Sequence, residues 1–81
     1  MYRNRAEDGS CNLAGKNIAR LRTGLKEKTS QRKLAEMLQL AGLDISKNEV
    51  QEIEAGTRFI SDIELKIFVK VLDTTYDELL K

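Results

Sequence analysis

Between Asn12 and Lys81 the chain is punctuated at short intervals by residues that start helices and residues that stop them. Asn12, Ser30, Ser46, Ser61 and Thr75 are small polar residues whose side chains accept hydrogen bonds from the free amides of a helix's first turn. Gly42 and Gly56 supply the stops, because glycine enters the left-handed conformation that closes a helix without steric cost. Ser61 with Glu64, and Thr75 with Glu78, have the spacing of a reciprocal capping box. Five short helices fit between these marks. The chain has no proline and only 5% aromatic residues, and it is rich in Leu, Ile, Glu, Lys and Ala. That balance favours an all-α domain.

Apolar spacing assigns each helix an inner face. Ala14, Ile18, Leu21 and Leu25 recur at helical intervals after Asn12, with Lys26 and Lys28 suited to the C-terminal end. Gly24 interrupts this pattern at a cost of about 1 kcal/mol relative to alanine, so the last turn is expected to fray or break. In the second helix Leu34, Ala35, Leu38 and Ala41 share one side. Ile63, Leu65, Ile67, Phe68, Val69, Val71 and Leu72 cover most of the circumference of the fourth, with Ile60 and Leu65 placed as a hydrophobic staple. A helix so apolar belongs at the centre of a bundle. Tyr76, Leu79 and Leu80 serve the fifth.

Residues 1–11 are polar, charged and aperiodic and read as a flexible N-terminal arm, leaving 12–81 as a single domain. Arg3 and Arg5 could touch phosphates from such an arm, or simply belong to a loose terminus. Eighty-one residues bury a modest core and leave little room for a deep catalytic pocket. No base–nucleophile constellation stands out, so an enzyme is not expected. Histidine is absent and Cys11 is the one cysteine, which leaves no zinc set and no disulfide within the chain. No cofactor or metal is expected. The lone thiol, the lack of a signal-like apolar opening and the lack of a membrane-length apolar run make the cytoplasm the expected compartment.

Charge is unevenly distributed. Residues 1–33 carry nine Lys or Arg against three acids, whereas residues 34–81 carry five against ten. One face for an anion and another for a different partner is the natural expectation. Ser30-Gln31-Arg32-Lys33 opens the second helix with two cations, which oppose the helix dipole by roughly 0.3–1 kcal/mol each. A phosphate docked there would make the free amides, Gln31, Arg32 and Lys33 favourable together.

The third helix is acidic, and its wheel divides the acidity. With Val50 and Ile53 inward, at about 100° per residue, Asn48, Gln51, Glu52 and Ala55 point outward. Glu54 and Lys47 fall on a flank near the core and Glu49 on the opposite flank. Asn and Gln can both give and accept against adenine, and a carboxylate can accept from cytosine's amino group. Any solvated helix face could show the same composition.

The ordered set LR at Leu21-Arg22, TSQRKLAEML from Thr29 to Leu38, IS, V and IEAG across Ile45–Gly56, and VLDTTYDELL near the end resembles the lambda-repressor-like helix-turn-helix family of phage repressors, Cro and XRE-type regulators. The resemblance covers Ile18 to Leu80. It implies a five-helix DNA-binding domain whose second helix crosses the DNA backbone and whose third enters the major groove. Carried over by position, Lys47, Asn48 and Glu52, and more weakly Gln51, would face base edges. Gln31, Thr57 and Arg58 would meet phosphates, beside Ser30, Arg32 and Lys33 of the basic turn read above from its charge, and Arg22 with Glu54 would tie the first helix to the third. The spacings from Arg22 to Gln31 and from Ala35 to Ser46 exceed the family pattern, with AGLDI in place of a tight turn. The function implied is a sequence-specific transcriptional regulator, a repressor, binding double-stranded DNA as a homodimer. Helices four and five would form the dimer surface. The alternative is a protein-interaction module of the same fold, such as an antitoxin subunit holding a toxin, or an antirepressor.

Overall fold

The structure, a computed structural model, describes residues 9–81. The sequence expectations for Arg3, Arg5 and the greater part of the arm lie outside the described residues. The described chain is all-helical, with α1 at Gly15–Thr23, α2 at Gln31–Leu40, α3 at Lys47–Ala55, α4 at Asp62–Val71 and α5 at Tyr76–Leu80. Ile18, Leu34, Leu38, Ile45, Val50, Ile53, Phe68 and Leu79 are the largest fully buried side chains and form one core. α2 packs on α3 and α4, α1 packs on α3 and α5, and α4 packs on α5.

Local chemistry accounts for most helix boundaries. The side chains of Ser30, Ser46, Ser61 and Thr75 each accept the amide three residues on, at Lys33, Glu49, Glu64 and Glu78. α3 and α4 carry complete capping boxes, in which Glu49 and Glu64 reach back to the amides of Ser46 and Ser61. The box expected at Thr75 and Glu78 is only half formed, because the Glu78 carboxylate pairs with Arg20 and Lys81 instead.

Three helices end in the same way. In α2 the amide of Leu43 donates to the carbonyl of Leu38 and that of Gly42 to Gln39, with Gly42 at φ +99°. In α3, Thr57 donates to Glu52 and Gly56 to Ile53, with Gly56 at φ +80°. In α4, Thr74 donates to Val69 and Asp73 to Lys70, with Asp73 at φ +53°. Each is a Schellman closure that satisfies otherwise orphaned carbonyls. The longer α2–α3 connection is also fixed. Buried Ile45 and half-buried Leu43 hold it to the core, and Gln39 Nε2 donates to the Ile45 carbonyl at 2.7 Å.

Other sequence expectations need correction. Asn12 is not the cap residue of α1, since Ala14 occupies that position without a side-chain bond. Asn12 instead lies two residues outside. Its Oδ1 accepts the Gly15 amide at 2.6 Å, while its Nδ2 donates to the carbonyls of Ile53 at 3.1 Å and Arg58 at 2.8 Å. Second, α1 ends at Thr23, where the break was expected at Gly24, so Lys26 and Lys28 are loop residues and not a helix C-terminus, and Leu25 reaches the core from that loop. Third, α4 lies at the side of the bundle: Phe68 is its one fully buried residue and Ile63 is 71% exposed. A helix packed against α2 and α5 can give only its facing side to the core. At the last residue assigned to the arm, the Cys11 amide donates to the Gly56 carbonyl at 2.8 Å.

Candidate nucleic-acid interface

Arg22, Glu54 and Gln31 join three helices at one point. Arg22 Nε donates to Glu54 Oε2 at 2.8 Å and Arg22 Nη2 to Glu54 Oε1 at 3.0 Å, a bidentate pair with side chains 15% and 6% exposed. Gln31 Nε2 donates to Glu54 Oε1 at 3.0 Å. Arg22 Nη1 also donates to the Thr29 carbonyl at 3.0 Å, which fixes the α1–α2 loop to the same point. The hydrogen bond to Glu54 raises the Arg22 pKa, against the opposing effect of burial. Glu54 therefore belongs to the fold, as the wheel placed it. Gln31, which the resemblance would send to phosphate, has its amide nitrogen turned inward to Glu54.

The outward side of α3 stands clear of this network. Lys47, Asn48, Gln51, Glu52 and Ala55 are exposed. Lys47, placed near the core by the wheel, instead extends along the surface and donates to Gln51 Oε1 at 3.1 Å. Between this face and α2 runs an open cleft of about 420 Å³, lined by Arg32, Ala35, Glu36, Gln39, Ser46, Lys47 and Asn48. Lys26 and Lys28 in the α1–α2 loop and Arg32 and Lys33 in the first turn of α2 are exposed, and none is in an ion pair among the described residues. Glu27 and Glu36 are the acids interspersed with them. Lys26 and Lys28 were assigned by sequence to a helix end. In the structure they stand in the loop that leads into α2's basic turn, within the cation-rich run LKEKTSQRK.

Ser30 and Thr57 have local duties. The Ser30 hydroxyl caps α2, and Thr57 Oγ1 donates to the Glu52 carbonyl at 3.3 Å. Arg58 is engaged more fully. Its Nη2 lies 2.8 Å from Glu64 Oε2 and 3.4 Å from Glu49 Oε2, and its Nη1 donates to the Phe59 carbonyl at 3.1 Å. The hydrogen bond to Glu64 raises the Arg58 pKa, and the charges of Glu49 and Glu52 act in the same direction. Burial pushes the Glu64 pKa up, but Arg58 and the Ser61 amide outweigh it and hold it below the ordinary glutamate value. Glu64 thus contributes stability above that pH, and the contribution is lost as pH falls through the lower folded value.

Among the described residues no cluster of His, Cys, Asp and Glu could hold a metal ion. No described helix is long and apolar enough to cross a membrane. Comparison of the chain with protein-family models, with curated proteins and with solved structures finds no match.

Proposed function

We propose that the chain is a sequence-specific DNA-binding transcriptional regulator, a repressor, of the lambda-repressor-like helix-turn-helix kind. α2 and α3 form the motif, and α3 lies in the major groove of double-stranded DNA. One observation carries this proposal. Of the acids of α3, Glu54 is drawn inward into its pair with Arg22, while Lys26, Lys28, Arg32 and Lys33 remain exposed and unpaired among the described residues. The surface presented by α2 and α3 is therefore more positive than the composition of α3 suggests. Phosphates meet the cations at the head of α2, and the Asn48–Glu52 face meets base edges. The ordered sequence motifs and the packing of α2 on α3 support the same proposal.

A chain this small covers one half-site, so a homodimer with its α3 helices about 34–36 Å apart is the working form. α4 and α5 offer the surface for it. Ile63, Tyr76 and Leu80 are 71%, 45% and 43% exposed. An open depression of about 460 Å³ lies among Asp62, Ile63, Leu65, Lys66 and Tyr76. The same apolar side favours the second reading, in which a toxin or effector protein docks there.

Asn48 provides the test. Its side chain is exposed on α3 and makes no hydrogen bond among the described residues, so Asn48→Ala should leave the fold intact. The variant should lose roughly 1–3 kcal/mol of discrimination at one base pair, while binding to non-cognate duplex stays level. Lys33→Gln should weaken binding to every duplex and reduce the salt slope by about 0.9. Competition binding against single-base variants of a selected site reads both effects. Unchanged selectivity in a folded Asn48→Ala protein would remove α3 from base recognition.

A further inference from the structure

Arg58 was assigned to phosphate by its position after α3, yet nearly all of its donors are already committed. Nη1 serves the Phe59 carbonyl at 3.1 Å and Glu64 Oε1 at 3.4 Å. Nη2 serves Glu64 Oε2 at 2.8 Å and Glu49 Oε2 at 3.4 Å. A guanidinium has five N–H groups, so only the Nε hydrogen is left over. Two carboxylates around one cation also leave the cluster negative, and Glu52 stands close enough to add to that field. An incoming phosphate would be repelled and would have to break existing bonds.

The two carboxylates have a second duty. Glu49 Oε1 accepts the Ser46 amide at 3.0 Å and Glu64 Oε1 accepts the Ser61 amide at 2.8 Å, so both are the reciprocal halves of capping boxes. Arg58 therefore links the first turn of α3 directly to the first turn of α4. Its backbone is held as well, because its carbonyl accepts Asn12 Nδ2 at 2.8 Å. We propose that Arg58 is a positioning residue, which locks the N-terminal turn of α3 to α4 and so sets the angle at which Lys47 and Asn48 are presented. This inference rests on the DNA-binding proposal for its consequence, but not for its geometry. A rigid link between α3 and α4 also makes the reading helix move with the surface assigned to dimerisation. The distance between two half-sites then depends on Arg58.

The test compares Arg58→Met, which keeps the aliphatic stem, with Arg58→Lys, which keeps the charge but loses the fork. In hydrogen exchange, both variants should speed the amides of Ser46, Glu49, Ser61 and Glu64 about tenfold while the α2 and α5 amides stay at wild-type rates. Equal acceleration everywhere, or none at these four, would overturn the clamp. In duplex binding, both variants should lose about fivefold or more in the ratio of cognate to mismatched site, with the wild-type salt slope retained. A slope shallower by about 0.9 in Arg58→Met, with Arg58→Lys behaving as wild type, would return Arg58 to the phosphate contacts. Failure of the wild-type protein to bind any duplex would defeat the DNA proposal and the consequence drawn from it. The exchange rates would still decide the clamp.

Discussion

Gly15→Ala is expected to destabilise the fold by about 3 kcal/mol, at the upper end of the usual cost of overpacking. A Cβ at Gly15 would overlap the Ile53 carbonyl oxygen and lie 3.0 Å from Asn12 Oδ1. The obstacle is backbone in α3, which cannot swing aside as a flexible side chain would. Relief would require α1 and α3 to separate, and that would pull Asn12 from its bonds to the Gly15 amide and the Ile53 and Arg58 carbonyls. The helix-propensity advantage of alanine, about 1 kcal/mol at most, opposes this loss without cancelling it. A domain of this size has on the order of 5–10 kcal/mol to lose, so a large share of its stability would go. Gly24→Ala is the control. Its nearest would-be neighbour is the Arg20 carbonyl at 3.3 Å, and its φ is an ordinary −89°. Chemical denaturation should show a clear drop in midpoint for Gly15→Ala and a shift within about 1 kcal/mol for Gly24→Ala.

Glu54→Ala should cost about 3–5 kcal/mol, the usual result of leaving a buried charge without its partner. The change strips both fork bonds from Arg22 and the bond from Gln31 in one step. Arg22 would keep only the Thr29 carbonyl, so the α1–α2 loop, the start of α2 and the end of α3 would lose their common tie. The variant would score as a binding mutant for a reason unrelated to DNA contact. Thermal melting distinguishes the two cases. Binding by Glu54→Ala should return on cooling to a temperature at which the protein is folded, whereas the selectivity lost in Asn48→Ala should not. A Glu54→Ala protein with wild-type melting behaviour would show that the pair contributes nothing to stability.

Helix starts and stops were legible in the sequence because their causes are local. A serine followed three residues later by a glutamate, or a glycine after an apolar run, needs only its own turn to act. Ser61 and Gly56 therefore did what their neighbours suggested. The burial of Glu54 was legible for a related reason, since two apolar residues fix the orientation of a short helix. Features made between segments were hidden. Nothing near Gly15 announces that the backbone of α3 passes against it, and the wide reach of Asn12 depends on where Ile53 and Arg58 come to rest. Arg58 found Glu49 and Glu64 only because the turn after Gly56 folds back, which no periodicity reveals. α4 misled for the opposite reason. Its apolar circumference described what the helix could bury, while the number of neighbours it actually has decided what it does bury. Ile63 is left outside on that account, in the region proposed for dimerisation.

The most direct measurement takes the purified wild-type protein, enriches bound duplexes from a random pool, and titrates the enriched site between roughly 50 and 200 mM salt. If α2 and α3 form a DNA-reading surface, one two-fold-related site should emerge, with half-sites about one helical turn apart. Its affinity should fall on the order of a thousandfold over that range. A pool that stays random after selection, or a bound duplex whose affinity does not change with salt, would contradict it.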